Sequence, residues 1–161
     1  MSDQSVTERS RSFYDAYQFP GNRPIDQDGL ILLRRFTAHV ERLMHRRHGG
    51  ALRVLDAGCG TGNTAVALAR RFSSVEFLGI DQSEASLEKA RSAAASFGMK
   101  NLRFRNWDLM KPLAVEKKFD VVLCLGVLHH TANMKRGLNN LRGVMRKDGE
   151  LFLWIYGKHG R

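Results

Sequence analysis

Residues 54–64 read Val-Leu-Asp-Ala-Gly-Cys-Gly-Thr-Gly-Asn-Thr, and this run decides the fold. A short apolar segment, Leu52–Ala57, leads into three alternating glycines, Gly58, Gly60 and Gly62, and a helix-forming stretch, Thr61–Phe72, follows. Without a Cβ, glycine lets the backbone turn tightly and leaves bare peptide for a ligand to lie against. Taken alone, the run also fits a tight strand-to-helix turn that binds nothing.

Outward from this turn the pattern repeats. Apolar runs at Val75–Ile80, Leu102–Arg105, Phe119–Leu125 and Glu150–Tyr156 alternate with helical stretches at Ser83–Phe97 and Met134–Arg146. Trp107–Lys118 reads as a loop with at most one turn of helix. Strand–helix alternation with runs apolar on both faces predicts a parallel sheet covered on both sides, a doubly wound, Rossmann-like α/β fold. Two helices precede it, Val6–Phe19 and about Asp28–Arg47, separated by Pro20-Gly21 and Pro24 and closed by Gly49-Gly50. In the second, Leu33, Phe36, Val40 and Leu43 recur at helical spacing. Residues 1–50 thus form a helical cap and 51–161 the α/β unit, together one structural domain.

A chain of 161 residues suits one domain, and 43% hydrophobic with 26% charged residues is ordinary for a globular protein. The apolar stretch Val121–Leu128 is far short of the roughly 20 residues of a membrane span, and the polar first residues lack the core of a secretory signal. Cys59 and Cys124 are the only cysteines. They support neither a disulfide framework nor a zinc site, and they fit a reducing, cytoplasmic setting. The net charge of +10 comes from eight basic and six acidic residues in 1–50 and eighteen against ten in 51–161. It is densest at 45–48, 100–118 and 135–161. Such charge serves an anionic partner such as nucleic acid, or simply solvates the surface; no unbroken block of like charge favours the first.

Three carboxylates narrow the ligand. Asp81 ends Leu78-Gly79-Ile80-Asp81, 19 positions after Gly62, where an acid accepts ribose hydroxyls. At a strand's exposed end it is expected to support the ligand and no core. Asp108, in Asn106-Trp107-Asp108-Leu109, follows the third strand, where a carboxylate receives a purine amino group. Asp56 brings a negative charge to the floor of the crevice. A nicotinamide dinucleotide wants G-x-G-x-x-G, but Asn63 stands at the third glycine position. Asp56 would also repel a pyrophosphate, whereas it attracts a sulfonium and an ammonium.

From Val54 to Tyr156 the chain resembles the class I S-adenosylmethionine-dependent methyltransferases, through VLDAGCGTG, GID, NWDL, FDVVLCLGVLHH and LRGVMRKDGELFL. The N-terminal FYDAYQFPGNR is similar to a segment preceding the domain in some bacterial members. The resemblance implies strand order 3-2-1-4-5, with S-adenosyl-L-methionine as cofactor. It also implies roles for individual residues. Gly58, Cys59, Gly60 and Gly62 would lie against the methionine part, mainly through backbone, with Asp56 near its amino-acid end. Asp81 and Gln82 would hold the ribose, and Asp108 the adenine amino group, with Trp107 and Leu109 flanking the ring. Leu125 and Gly126 would present carbonyls to the ammonium.

His129 and His130 stand where a methyl acceptor should arrive; one either takes its proton or the pair orders a loop. Tyr14 and Tyr17 either close over the cofactor or pack on the domain. A nearby helix N-terminus would lower the Cys59 pKa, though a small residue with its backbone on the cofactor suits this place better. Cys124 should be inert core and Asp120 structural, while His39, His45, His48 and His159 are given no role. No Asn/Asp-Pro-Pro-aromatic run follows the fourth strand, and neither cysteine is placed for cytosine C5 chemistry. The expected activity is therefore methyl transfer to a small-molecule acceptor, with no metal and no membrane. The alternative is a basic binding module for nucleic acid or a protein.

After Tyr156 only Gly157–Arg161 remain, whereas the resembled family usually adds a helix and an antiparallel hairpin. The fifth strand is then expected to be an open apolar edge, a template for self-association, or the chain to be part of a longer protein.

Overall fold

The computed structural model describes residues 3–16, 27–46 and 51–155. Helices α1 (Asp3–Ala16) and α2 (Gln27–Arg46) come first. The sheet unit then alternates β1 (Arg53–Ala57), α3 (Asn63–Arg71), β2 (Glu76–Asp81), α4 (Glu84–Ser96) and β3 (Leu102–Asn106). It continues with β4 (Phe119–Leu125), a 3-10 turn (Leu128–His130), α5 (Met134–Val144) and β5 (Met145–Trp154).

All five strands are parallel, in the order β3-β2-β1-β4-β5. Val54 pairs with Phe77 on one side and Val121 on the other, so β1 is central and all but sealed from solvent. Alternate strand residues feed two cores. One joins Val54, Phe77, Val121 and Leu123 to Phe36 and Val40 of α2 and to Leu68 of α3. The other joins Leu55, Ile80 and Val122 to Leu109 and Met110 of the β3–β4 loop and to Leu141 and Val144 of α5. Cys124 is buried there as a free thiol, which burial pushes up to about 12. Asp120 is structural, accepting the Arg53 N–H at 2.8 Å and pairing with Arg146 at 3.4 Å.

The structure corrects the predicted boundaries in places. Helix α5 stops at Val144, not Arg146, because Met145 pairs with Phe119 and packs into the second core; strand pairing overrides local helical composition there. Strand β5 accordingly begins at Met145, ahead of Glu150. Helix α1 begins at Asp3, ahead of Val6, and Tyr17 lies outside the described residues. His39, given no role by the sequence, fastens α2 to β5. Its Nε2 lies 2.7 Å from a Glu150 carboxylate oxygen and its ring 4.8 Å from that of Phe152. Among the described residues, no helix is long and apolar enough to cross a membrane.

Candidate active site

Parallel strands put their carboxyl ends at one edge, and the loops after β1, β2, β3 and β4 all open there. The glycine turn is sewn to β2. The N–H groups of Gly58 and Cys59 both donate to the Ile80 carbonyl, at 2.7 and 3.0 Å, and the Gly62 N–H donates to the Cys59 carbonyl at 2.9 Å. The Gly60 N–H donates to Asp81 Oδ2 at 2.9 Å. These donors are used inside the protein, so a ligand meets the loop as bare peptide surface.

Two of the glycines are required by the fold as well. Gly58 has φ +81°, and a Cβ there would lie 2.3 Å from a methyl of Val127. Gly62, at φ +82°, would bring a Cβ within 2.7 Å of Ala90, so α3 and α4 pack as closely as they do only over a glycine. Both positions lie in the left-handed region that other residues avoid.

Asp81 Oδ1 accepts the Ser83 N–H at 2.9 Å, so the carboxylate braces two backbone segments at once. That corrects the expectation that it supports no structure. Burial raises its pKa against these hydrogen bonds. Asp56 is 5% exposed, and its Oδ2 has no hydrogen-bond partner among the described residues. Burial, helped by the Asp81 charge, pushes its pKa up to about 7. Burial also raises the Cys59 thiol, with the Asp56 and Asp81 charges adding to it. Of the two readings of Cys59, this goes against a thiol acidified by the helix N-terminus.

Around β3, Asp108 Oδ1 accepts the Met110 N–H at 2.8 Å, closing a tight turn, and Asn106 donates to the Gln82 carbonyl at 3.0 Å. The Trp107 indole donates to the Lys111 carbonyl at 3.2 Å and lies under Arg105, whose guanidinium carbon is 4.5 Å from the ring centroid. Leu109 is core, with its carbonyl bonded to Asn140. Leu125 pairs with Trp154 at the end of β4, and a Cβ on Gly126 (φ +74°) would meet nothing within 4 Å.

At this same edge, in the turn after β4, stand His129 and His130, their ring centroids 4.0 Å apart. Burial, then the His130 charge, lowers the pKa of His129. Tyr14 of α1 reaches His130 edge-on at 6.1 Å. The next residue, Asp15, accepts a 2.6 Å bond from Ser83 Oγ at the start of α4. Helix α1 therefore contacts both the α4 side and the His130 side of the crevice.

Sequence reasoning missed two features here. The Thr61 hydroxyl is buried between the glycines without a partner among the described residues; a hydroxyl inside a glycine run was the available signal. The Ser83–Asp15 bond spans 68 positions, and no local pattern announces it. Among the described residues no group of three or more His, Cys, Asp or Glu could hold a metal.

The chain matches the methyltransferase domain model over residues 48–154. It is similar to an uncharacterized protein of Synechococcus, 33% identical across 98% of this chain and 39% of that protein. It is 33% identical to the ubiquinone biosynthesis O-methyltransferase of Acinetobacter baylyi, over 81% of this chain and 52% of the enzyme. The fold is that of a methyltransferase from Geobacter sulfurreducens solved with S-adenosylhomocysteine, with TM-score 0.63, 21% identity, and coverage of 88% of this chain and 52% of that one. The chain thus spans between 39% and 52% of the length of these relatives. On the match to two thirds of its length, with the sheet order and glycine turn described above, the chain belongs to the methyltransferase-domain family.

Proposed function

We propose that the crevice binds S-adenosylmethionine and that the protein transfers its methyl group to a small-molecule nucleophile. The observation that carries this reading is Asp56, a buried carboxylate whose Oδ2 lacks a partner beneath the glycine turn. A buried carboxylate is costly unless a cation or donors satisfy it. The cofactor's ammonium and sulfonium fit that need, and a pyrophosphate does not. When bound, the cofactor supplies an electrophilic methyl group for in-line displacement.

The chain's own residues bind, orient and cover. Each Asp81 oxygen accepts one backbone N–H and keeps a lone pair for a ribose hydroxyl, with Gln82 beside it. Asp108 takes the adenine amino group, next to Trp107 and Leu109. Gly58, Cys59, Gly60 and Gly62 give the methionine part a surface without side chains, and Leu125 and Gly126 face its ammonium with carbonyls. Tyr14 shields the acceptor side. His129, kept neutral by its lowered pKa, is the group suited to accept a proton from the nucleophile, with His130 beside it. Most of the rate comes from holding methyl and acceptor in attack geometry.

The edge strand β5 exposes Leu153 and Trp154 by 41% and 37%, and Ile155 just after it by 43%, which supports self-association through that strand, readable by light scattering over a concentration series. Two buried cysteines kept as thiols support a cytoplasmic setting. Isothermal titration with S-adenosylmethionine, S-adenosylhomocysteine and NAD tests the main reading. Binding of the first two, with NAD far weaker, is expected. Absence of heat with both, or equal affinity for NAD, overturns it.

A further inference from the structure

The opposite edge of the sheet carries a second, differently charged feature. Where the strands begin, a cleft of about 580 Å³ is lined by five cations, Arg53, Lys117, Lys118, Arg146 and Lys147. Their convergence is a product of the fold. Lys117 and Lys118 precede β4, Arg53 opens β1, and Arg146 and Lys147 lie in an irregularity of β5. There Met145 pairs with Phe119 and Glu150 with Val121, so four residues, 146–149, stand opposite Asp120 alone. Bulges of this kind re-aim side chains and mark functional places in sheets.

The carboxylates in the cleft are committed to bracing the arginines. Glu76 lies 3.1 Å from Arg53 Nε. Asp120 accepts the Arg53 N–H and pairs with Arg146, and Asp148 also approaches Arg146, at 3.8 Å. Arg53 further donates to the Lys117 carbonyl, and Lys118 donates to the Gly143 carbonyl. The exposed ammonium groups of Lys117 and Lys147 have no ion pair among the described residues. On the α2–α3–α4 side of the sheet two exposed arginines are ion-paired, Arg71 with Glu41 at 2.7 Å and Arg91 with Glu84 at 2.6 Å. Like charges gathered around one cleft repel each other, and packing does not require these lysines, which are exposed. An external anion is what relieves the arrangement.

The charge also continues beyond the cleft. Outside the cleft lining, residues 102–148 add six basic residues, all exposed, against two acidic ones. Arg142 of α5 is adjacent to Gly143, the residue that Lys118 grips. On β3, Arg103 points to the same side of the sheet as α5, since its register partner Leu78 packs on that core. A small anion calls for buried groups closing around it. An open cleft extended by a row of exposed cations suits a ligand with repeating negative charge.

We propose that this amino-edge cleft, with the α5 side of the sheet, is a docking surface for the phosphodiester backbone of a nucleic acid. It is separate from the crevice at the carboxyl edge and does not depend on what that crevice binds. Neutralising several phosphates makes affinity fall steeply with salt, by roughly 0.7–0.9 in log K per log salt for each contact.

Fluorescence anisotropy with a labelled 20-nucleotide RNA and a 20-base-pair DNA duplex, over 50–200 mM KCl, tests the proposal. Binding to at least one probe is expected, with a log–log slope of about −2 or steeper. Lys117→Glu with Lys147→Glu should weaken it tenfold or more at 100 mM salt and flatten the slope. Lys89→Glu with Arg34→Glu, the same charge change on α4 and α2, should cost less than threefold. Should the first pair disturb folding by circular dichroism, Lys117→Ala with Lys147→Ala replaces it, with a loss of at least threefold expected. Failure to bind either probe overturns the proposal. So does equal loss from the two charge-reversed pairs, or binding only to vesicles of phosphatidylglycerol and phosphatidylcholine.

Discussion

Asp81 Oδ2 accepts the N–H of Gly60 at 2.9 Å, so the carboxylate that ends β2 pins the glycine turn that follows β1. The other oxygen holds the N–H of Ser83, and Ser83 in turn caps α4 by accepting the Ser86 N–H at 3.2 Å. Binding surface and scaffold share one side chain. Its removal must register in both affinity and stability.

For Asp81→Ala we expect cofactor affinity to drop by about 1.5–3 kcal/mol, the worth of hydrogen bonds to a charged acceptor. Stability should fall by about 1–3 kcal/mol as well, since two partly buried N–H groups lose their acceptor. Asp81→Asn, keeping one carbonyl oxygen, should lie between. Titration calorimetry and urea denaturation separate the two effects. Unchanged affinity in the alanine variant would mean that the ribose is held elsewhere.

Asp56 gives a pH dependence of definite sign. Its pKa is about 7 in the folded chain against 3.8 for an ordinary aspartate, so between these values the folded state binds more protons than the unfolded. Stability without ligand should therefore fall as pH rises from about 4 to 7 and level off above. Cofactor binding has the opposite trend: a cation favours the ionised carboxylate, a proton is released, and affinity rises with pH up to about 7. In Asp56→Asn the stability trend should flatten and affinity should fall. A pH-independent affinity between 5.5 and 7.5 would show that Asp56 does not face the cationic end.

How far the sequence could be read follows from the range of the interactions. The strand–helix alternation and the carboxyl-edge cluster of Asp56, Asp81 and Asp108 were legible, because strand ends are marked locally by apolar runs and the next glycine or acid; the strand order came with the family resemblance. The C-terminus of α5 was not: Met145-Arg146 has helical composition, and only pairing with Phe119 draws it into β5. Nor was the second duty of Gly58, which depends on Val127, or the bond of Ser83 to Asp15. These are contacts between segments 68 and 69 positions apart, set by topology rather than by neighbours in the chain.

The Gly58–Val127 contact can be tested by itself. Gly58→Ala places a Cβ about where a Val127 methyl sits and keeps a positive φ, each costing on the order of 1–3 kcal/mol. Adding Val127→Ala should restore the steric part and leave the backbone strain. The double variant is thus expected to melt between wild type and Gly58→Ala. A double variant less stable than either single one would show that the two sites do not compete for the same space.

Asp15 offers the sharpest test of α1. Its carboxylate accepts the 2.6 Å bond from Ser83 Oγ, while Tyr14 meets His130 on the other side of the crevice. If α1 is the strap over a bound cofactor, cutting that bond frees one end without disturbing the binding surface. In Asp15→Ala, Ser83 still accepts from Ser86 and so still caps α4, and its N–H still braces Asp81. Loss of a partly exposed charged hydrogen bond, about 1.5 kcal/mol, corresponds to roughly a tenfold faster release. We expect stopped-flow displacement of S-adenosylhomocysteine to show about that increase in dissociation rate, with a smaller rise in association and a stability loss no greater than the bond's own worth of about 1.5 kcal/mol. Tyr14→Ala should act in the same direction, because it loosens the other contact. Unaltered dissociation in both variants would mean that α1 rests on the domain and covers nothing, since a helix that gates the crevice must slow the departure of what lies beneath it.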